Sequence, residues 1–94
     1  MKLPFSRLQV VGTSMIPTLQ PGQFLISWNW FINLKVGDLV VINQNKRLMV
    51  KRITKIKVDQ FFVIGDNLPQ STDSRQFGWI SKDKIVGKVI FQYN

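Results

Sequence analysis

The chain contains no histidine, no cysteine and no glutamate. Without histidine or cysteine there is no Ser-His-Asp triad and no cysteine-protease pair. Common zinc sites lose their usual ligands, and the Glu pair of retaining glycosidases is gone. Disulfides are excluded, so cysteine usage carries no information about redox compartment. The proton acceptors that remain are five Asp, the lysines and Tyr93. A hydrolase built from this set takes Asp or a neutral Lys as its base. Long apolar runs are also lacking. Met1 to Val11 is interrupted by Lys2, Pro4, Ser6 and Arg7, so it has no apolar stretch of the roughly 7–15 residues a signal peptide needs. No window approaches the roughly 20 apolar residues of a membrane span. The expectation is a soluble or peripheral chain, although one trimmed of an anchor reads the same way.

Acidic residues are scarce: five against thirteen Lys and Arg, for a net charge of +8. Such an excess suits an acidic partner, nucleic acid or an anionic membrane surface. It equally suits a merely well-solvated surface, because the basic residues form no long run.

What is present is the composition of one folded domain: 94 residues, 45% hydrophobic and 12% aromatic. Val10-Val11-Gly12 reads as a strand end. Thr13 to Leu19 reads as a turn with at most one helical turn, since Pro17 fits a first turn. Gln23 to Trp28 and Leu39 to Ile42 read as strands, separated by a loop over Asn33 to Asp38. Leu48 to Ile53 returns as a hairpin partner. A second hairpin is expected over Lys55 to Ile64, turning at Val58-Asp59-Gln60. Trp79-Ile80 and Ile85 to Phe91 close the chain as strands. Short strands with turn signals between them, and no sustained helical period, predict an all-β domain. The expected form is a small coiled antiparallel sheet or partly open barrel. Gly65 to Gly78 is a long polar loop for so small a domain, and such loops are usually functional or disordered.

Three stretches carry candidate chemistry. In Gly12-Thr13-Ser14-Met15-Ile16-Pro17-Thr18-Leu19, Ser14 follows a glycine turn, where a nucleophile and its own N–H can meet a carbonyl. A helix-capping serine has the same appearance. In Leu48-Met49-Val50-Lys51-Arg52-Ile53, Lys51 stands among apolar residues on a strand. Burial there lowers a lysine pKa and makes it a base; an exposed edge lysine is the alternative. The third stretch, Gly65 to Gly78, gathers hydroxyls, carboxylates and Arg75 in one loop. An Asp73–Arg75 pair or Asx-turns can fix its shape, and a solvated surface loop is the alternative.

Taken together and in this order, GTSMIPTLQPG, GDLVVI, MVKRI and GDNLPQSTDSRQFGWI resemble the motifs of type I signal peptidases and their relatives, the S26 family. The resemblance runs from Val10 to about Val89. It implies a signal-peptidase catalytic core of coiled antiparallel sheet, filling residues 1–94 as a single domain without a large insertion or a transmembrane anchor. It also implies a serine endopeptidase with Ser14 as nucleophile and Lys51 as base. Ser71 then matches a hydroxyl that orients the lysine, and Asp73 and Arg75 match a supporting structural pair. Met15 and Val50 match the lining of a shallow pocket for a small side chain. Thr18 falls in the segment that steadies the nucleophile loop. The chain departs from the pattern at Gly12, where some members carry a serine assisting the oxyanion hole, and at Leu68-Pro69, where many carry Arg-Asp. Its short form and its loop are most similar to the small proteases that mature nickel-type superoxide dismutase.

The function so implied is removal of an N-terminal extension from a precursor protein, bound as an extended segment beside the sheet. The expected substrate is the nickel-type dismutase precursor. Cleavage of secretory signal peptides, as by signal peptidase I, is the alternative. No cofactor, no metal and no nucleic acid are expected, peripheral contact with a membrane is compatible, and the expected location is cytoplasmic or else membrane-associated. From another class, a non-catalytic basic β-domain could stack nucleic-acid bases on Phe61, Phe62 and Trp79 near Lys55 and Lys57.

Overall fold

The computed structural model describes residues 3–30 and 33–94. Among the described residues, seven strands form one sheet: β1 (Phe5–Gln9), β2 (Phe24–Trp28), β3 (Leu39–Gln44), β4 (Arg47–Lys57), β5 (Gln60–Ile64), β6 (Ile80–Ser81) and β7 (Ile85–Tyr93). Their order is β1-β2-β7-β3-β4-β5-β6, and every pairing is antiparallel. The last strand thus lies between the N-terminal hairpin and the rest, joining the two halves of the chain. The all-β architecture expected from the sequence is what the chain adopts. Among the described residues, no helix is long and apolar enough to cross a membrane.

Local chemistry explains the turns. The β3–β4 hairpin turns on Asn45 and Lys46, both at positive φ (52° and 65°). Two such residues make the two-residue turn whose twist matches antiparallel strands. The β4–β5 hairpin turns at Val58-Asp59, with Asp59 at φ 57°. The sequence suggests a break between a strand ending at Ile53 and another starting at Lys55. The chain instead runs through as one strand of 11 residues, with a register shift at that point. Thr54 absorbs the irregularity and donates its hydroxyl to the Phe62 carbonyl at 3.2 Å.

Two apolar clusters hold the sheet. One joins Val40, Ile42, Ile53, Phe61, Val63, Ile80 and Ile85. The other joins Val10, Met15, Leu19 and Leu25, with Leu39, Val50 and Val89 against it. The second cluster pins the segment after β1 to the sheet, because Met15 and Leu19 are its buried anchors. Alternation along β5 sends Phe61 into the core and Phe62 outward. Phe62 there meets Trp79 edge-on at 5.3 Å, and Lys55 and Lys57 lie over these two rings. The stacking face considered from the sequence therefore has two rings rather than three, each already covered by a lysine.

Candidate active site

The segment after β1 is a compact turn. Ile16 N–H bonds to the Thr13 carbonyl and Leu19 N–H to that of Met15, at 3.2 and 2.9 Å. No helix forms there, so Ser14 has no helix to cap. Ser14 sits on this turn and lines a cleft of 590 Å³ between the end of β1 and the first half of β4. Lys51, Met15 and Val50 line the same cleft.

Lys51 is 3% exposed. Its ammonium position is set by Ser71, whose hydroxyl accepts from Nζ at 3.0 Å. Ser71 in turn donates to Asp73 at 2.7 Å. Burial lowers the Lys51 pKa from its ordinary value; the nearby charge of Asp73 opposes this and that of Arg75 adds to it. Among the described hydrogen bonds, Nζ makes none to Ser14 Oγ, so the two candidate residues share the cleft without a direct bond.

Asp73 is fully buried, and burial alone would raise its pKa. Hydrogen bonds from Arg75, from the Gly65 N–H and from Ser71 outweigh that and hold its carboxyl far below the usual range. Arg75 makes the ion pair at 2.9 Å. The guanidinium also ties down the loop by donating to the carbonyls of Leu68 and Ser71, at 2.8 and 3.3 Å. Asp73 further caps α1 (Ser74–Phe77), and Gln76 returns a bond to the Asp73 N–H at 2.9 Å. This capping box shapes what the sequence suggested was an irregular loop. The four residues Lys51, Ser71, Asp73 and Arg75 are thus one connected chain of polar contacts.

Other residues at this site had no role assigned from the sequence. Gly65 packs where no side chain fits: a Cβ there would lie 2.6 Å from Ser71 Cβ and 2.7 Å from the Ser14 carbonyl oxygen. Asn67 clamps the turn that carries Ser14, with its N–H on the Ser14 carbonyl and its side-chain amide on that of Thr13, both at 2.8 Å. Asp66 receives Arg52 through two bonds of 2.9 and 2.8 Å and Thr18 through one of 2.5 Å. These contacts hold the Asp66 pKa down, the bond from Arg52 most of all. Asp66 N–H also reaches Met15 Sδ at 3.3 Å. Thr18 thereby ties the turn that carries Ser14 to Asp66.

Comparison with known proteins points to one family. The family model for signal peptidase, peptidase S26, matches residues 49–94, a stretch holding Lys51, Ser71, Asp73 and Arg75. Signal peptidase I of Bacillus caldolyticus is 48% identical over 146 residues, covering 95% of this chain and 79% of the relative. That matched stretch exceeds the 94 residues of this chain, so the relative carries residues without a counterpart here. Signal peptidase IB of Staphylococcus aureus strain Mu50 is 53% identical over 34 residues, 36% of this chain and 18% of the relative. The chain belongs to the S26 signal peptidase family and is a serine endopeptidase of the signal peptidase I kind.

Proposed function

We propose that Ser14 is the nucleophile and Lys51 the general base of a Ser/Lys dyad. The observation that carries this is a buried lysine of lowered pKa, lining one cleft with Ser14 and hydrogen-bonded to a neutral hydroxyl. A neutral amine donating to Ser71 keeps its lone pair free for the Ser14 hydroxyl. Lys51 takes that proton as Ser14 Oγ attacks the scissile carbonyl. The Ser14 N–H, which finds no acceptor among the described backbone bonds, faces the developing oxyanion. Lys51 then protonates the leaving amine, and a water activated by Lys51 releases the acyl group. Ser71 orients the amine, and Asp73 and Arg75 support Ser71. Met15 and Val50 line the pocket for a small side chain. The joining of all seven strands in one sheet supports a single catalytic domain.

The substrate in this reading is a precursor protein with an N-terminal extension, bound extended. The Gly65 to Gly78 loop supports the precursor of nickel-type superoxide dismutase. The 48% identity to a signal peptidase I favours a second reading, cleavage of secretory signal peptides. Incubating the purified chain with each precursor and reading the new N-terminus by mass spectrometry separates the two. Cutting only the membrane-inserted preprotein rejects the dismutase reading. Loss of cleavage in Ser14→Ala and in Lys51→Arg tests the dyad.

A further inference from the structure

The first half of β4 is open on one side. Its pairing with β3 covers Arg47 to Arg52, but β5 joins only from Arg52 onward. Residues 47–51 therefore present a free edge along the cleft, the kind of edge to which an extended peptide adds. Side chains two apart share a face of a strand, so Arg47 and Lys51 stand on the same side of β4. Both line the cleft. They are the charged residues of its lining, and no carboxylate lines it. Arg47 is exposed, its cross-strand partner is the uncharged Gln44, and it has no ion pair among the described residues. It stands four positions before Lys51, about 13 Å at the rise of an extended strand.

The segment that needs holding in this cleft is the one N-terminal to the cut bond. It remains esterified to the nucleophile until water arrives, while the other product leaves at once. Resting on the Ser/Lys reading above, we infer that the cleft selects precursors with an acidic residue about four positions before the scissile bond, and that Arg47 reads it. The ligand is a carboxylate side chain on an extended polypeptide. Arg suits it because its planar fork pairs with a carboxylate through two bonds.

The test uses the full chain and labelled ten-residue peptides. Each has a small residue before the cut and Asp, Asn or Lys at the fourth position before it. Binding to the Ser14→Ala variant is read by fluorescence anisotropy, and cleavage by the unmutated chain is read by chromatography. An exposed pair of this kind is worth up to about five-fold in affinity. The Asp peptide should therefore bind several-fold more tightly than the Lys peptide, and less so in 1 M salt, where screening shortens to about 3 Å. Arg47→Gln should level the peptides and Arg47→Glu should reverse their order. Lys46→Glu makes the same change of net charge beside the cleft but outside its lining, and should leave the order intact. Equal binding of the Asp and Lys peptides overturns the inference. So does a preference that survives Arg47→Glu, or one that Lys46→Glu removes equally. Cleavage persisting in Ser14→Ala rejects the nucleophile instead, and the binding order still decides the role of Arg47.

Discussion

Replacing Gly65 by alanine adds one carbon at the point where the turn that carries Ser14 and the partner of Lys51 come closest. The new Cβ would overlap Ser71 Oγ and stand 2.6 Å from Ser71 Cβ and 2.7 Å from the Ser14 carbonyl oxygen. Ordinary carbon contacts are about 3.5–4.0 Å, so something must retreat by about 1 Å. Neither neighbour is free to do so. Ser71 Oγ is held between Lys51 at 3.0 Å and Asp73 at 2.7 Å. The Ser14 carbonyl is held by the Asn67 N–H at 2.8 Å. A shift of that size carries either bond beyond hydrogen-bond range. Overpacking of this kind costs about 1–3 kcal/mol, which for a domain this size lowers Tm by about 5–20 °C. Misplacing a catalytic group by about 1 Å costs about 100-fold in rate. The assay is kcat/KM on a fluorogenic peptide at 15 °C, with folding checked by circular dichroism. Activity should fall by about two decades in protein that is still folded. A Gly65→Ala/Ser71→Gly double variant should regain part of the lost Tm, because the worst overlap is relieved. Near-normal Tm and near-normal activity in Gly65→Ala would refute the argument that this close approach positions the site.

Activity should rise with pH through one ionisation as neutral Lys51 appears, and Lys51→Arg should abolish it, because arginine keeps its proton. The same lowered pKa affects stability. The folded state releases this proton before the unfolded one does, so Lys51 makes the protein more stable as pH rises from the lowered value toward 10.5, and Lys51→Met should flatten that slope in pH-dependent denaturation curves. Asp73 has a dependence of the same sign in a lower pH window. Its depressed carboxyl contributes stability that is present above 3.8 and is lost as pH falls toward the depressed value, so Asp73→Asn should weaken the acid limb of a Tm-against-pH curve. Arg75 offsets the Asp73 charge at 2.9 Å, so Arg75→Gln should raise the Lys51 pKa and move the rising limb of the rate profile to higher pH. An unmoved limb contradicts that role.

Much of this was legible in the sequence for identifiable reasons. The absence of histidine, cysteine and glutamate narrowed the candidate base to Asp or a neutral Lys before any geometry was considered, and the resemblance then pointed to Lys51. The β-branched runs gave most strands, because their alternation is a local property. Gly65 was not legible, since a glycine in a polar loop gives no sign of what packs against it. Nor was the continuity of β4, whose register shift at Thr54 depends on its pairing with β5. α1 is too short, at four residues, to show a helical period. Its one local sign is Asp73 followed three residues later by Gln76, a capping pattern. The bond between Thr18 and Asp66 joins residues 48 apart and belongs to tertiary structure alone.

The arrangement of β4 explains why one loop can organise the whole site. Consecutive residues of a strand point to opposite faces, so Lys51 and Arg52 leave β4 in opposite directions. The chain after β5 meets both: Ser71 takes Lys51 on one side, and Asp66 takes Arg52 on the other. The same loop reaches the turn that carries Ser14 through Asn67 on the Ser14 carbonyl and Asp66 on Thr18. The turn and the strand are therefore each fixed to a third body, which holds Ser14 and Lys51 in one cleft. On the Ser/Lys reading proposed above, restraint through the backbone of Ser14 and through Ser71 leaves the Ser14 hydroxyl and the Lys51 amine free to meet as the scissile carbonyl is attacked.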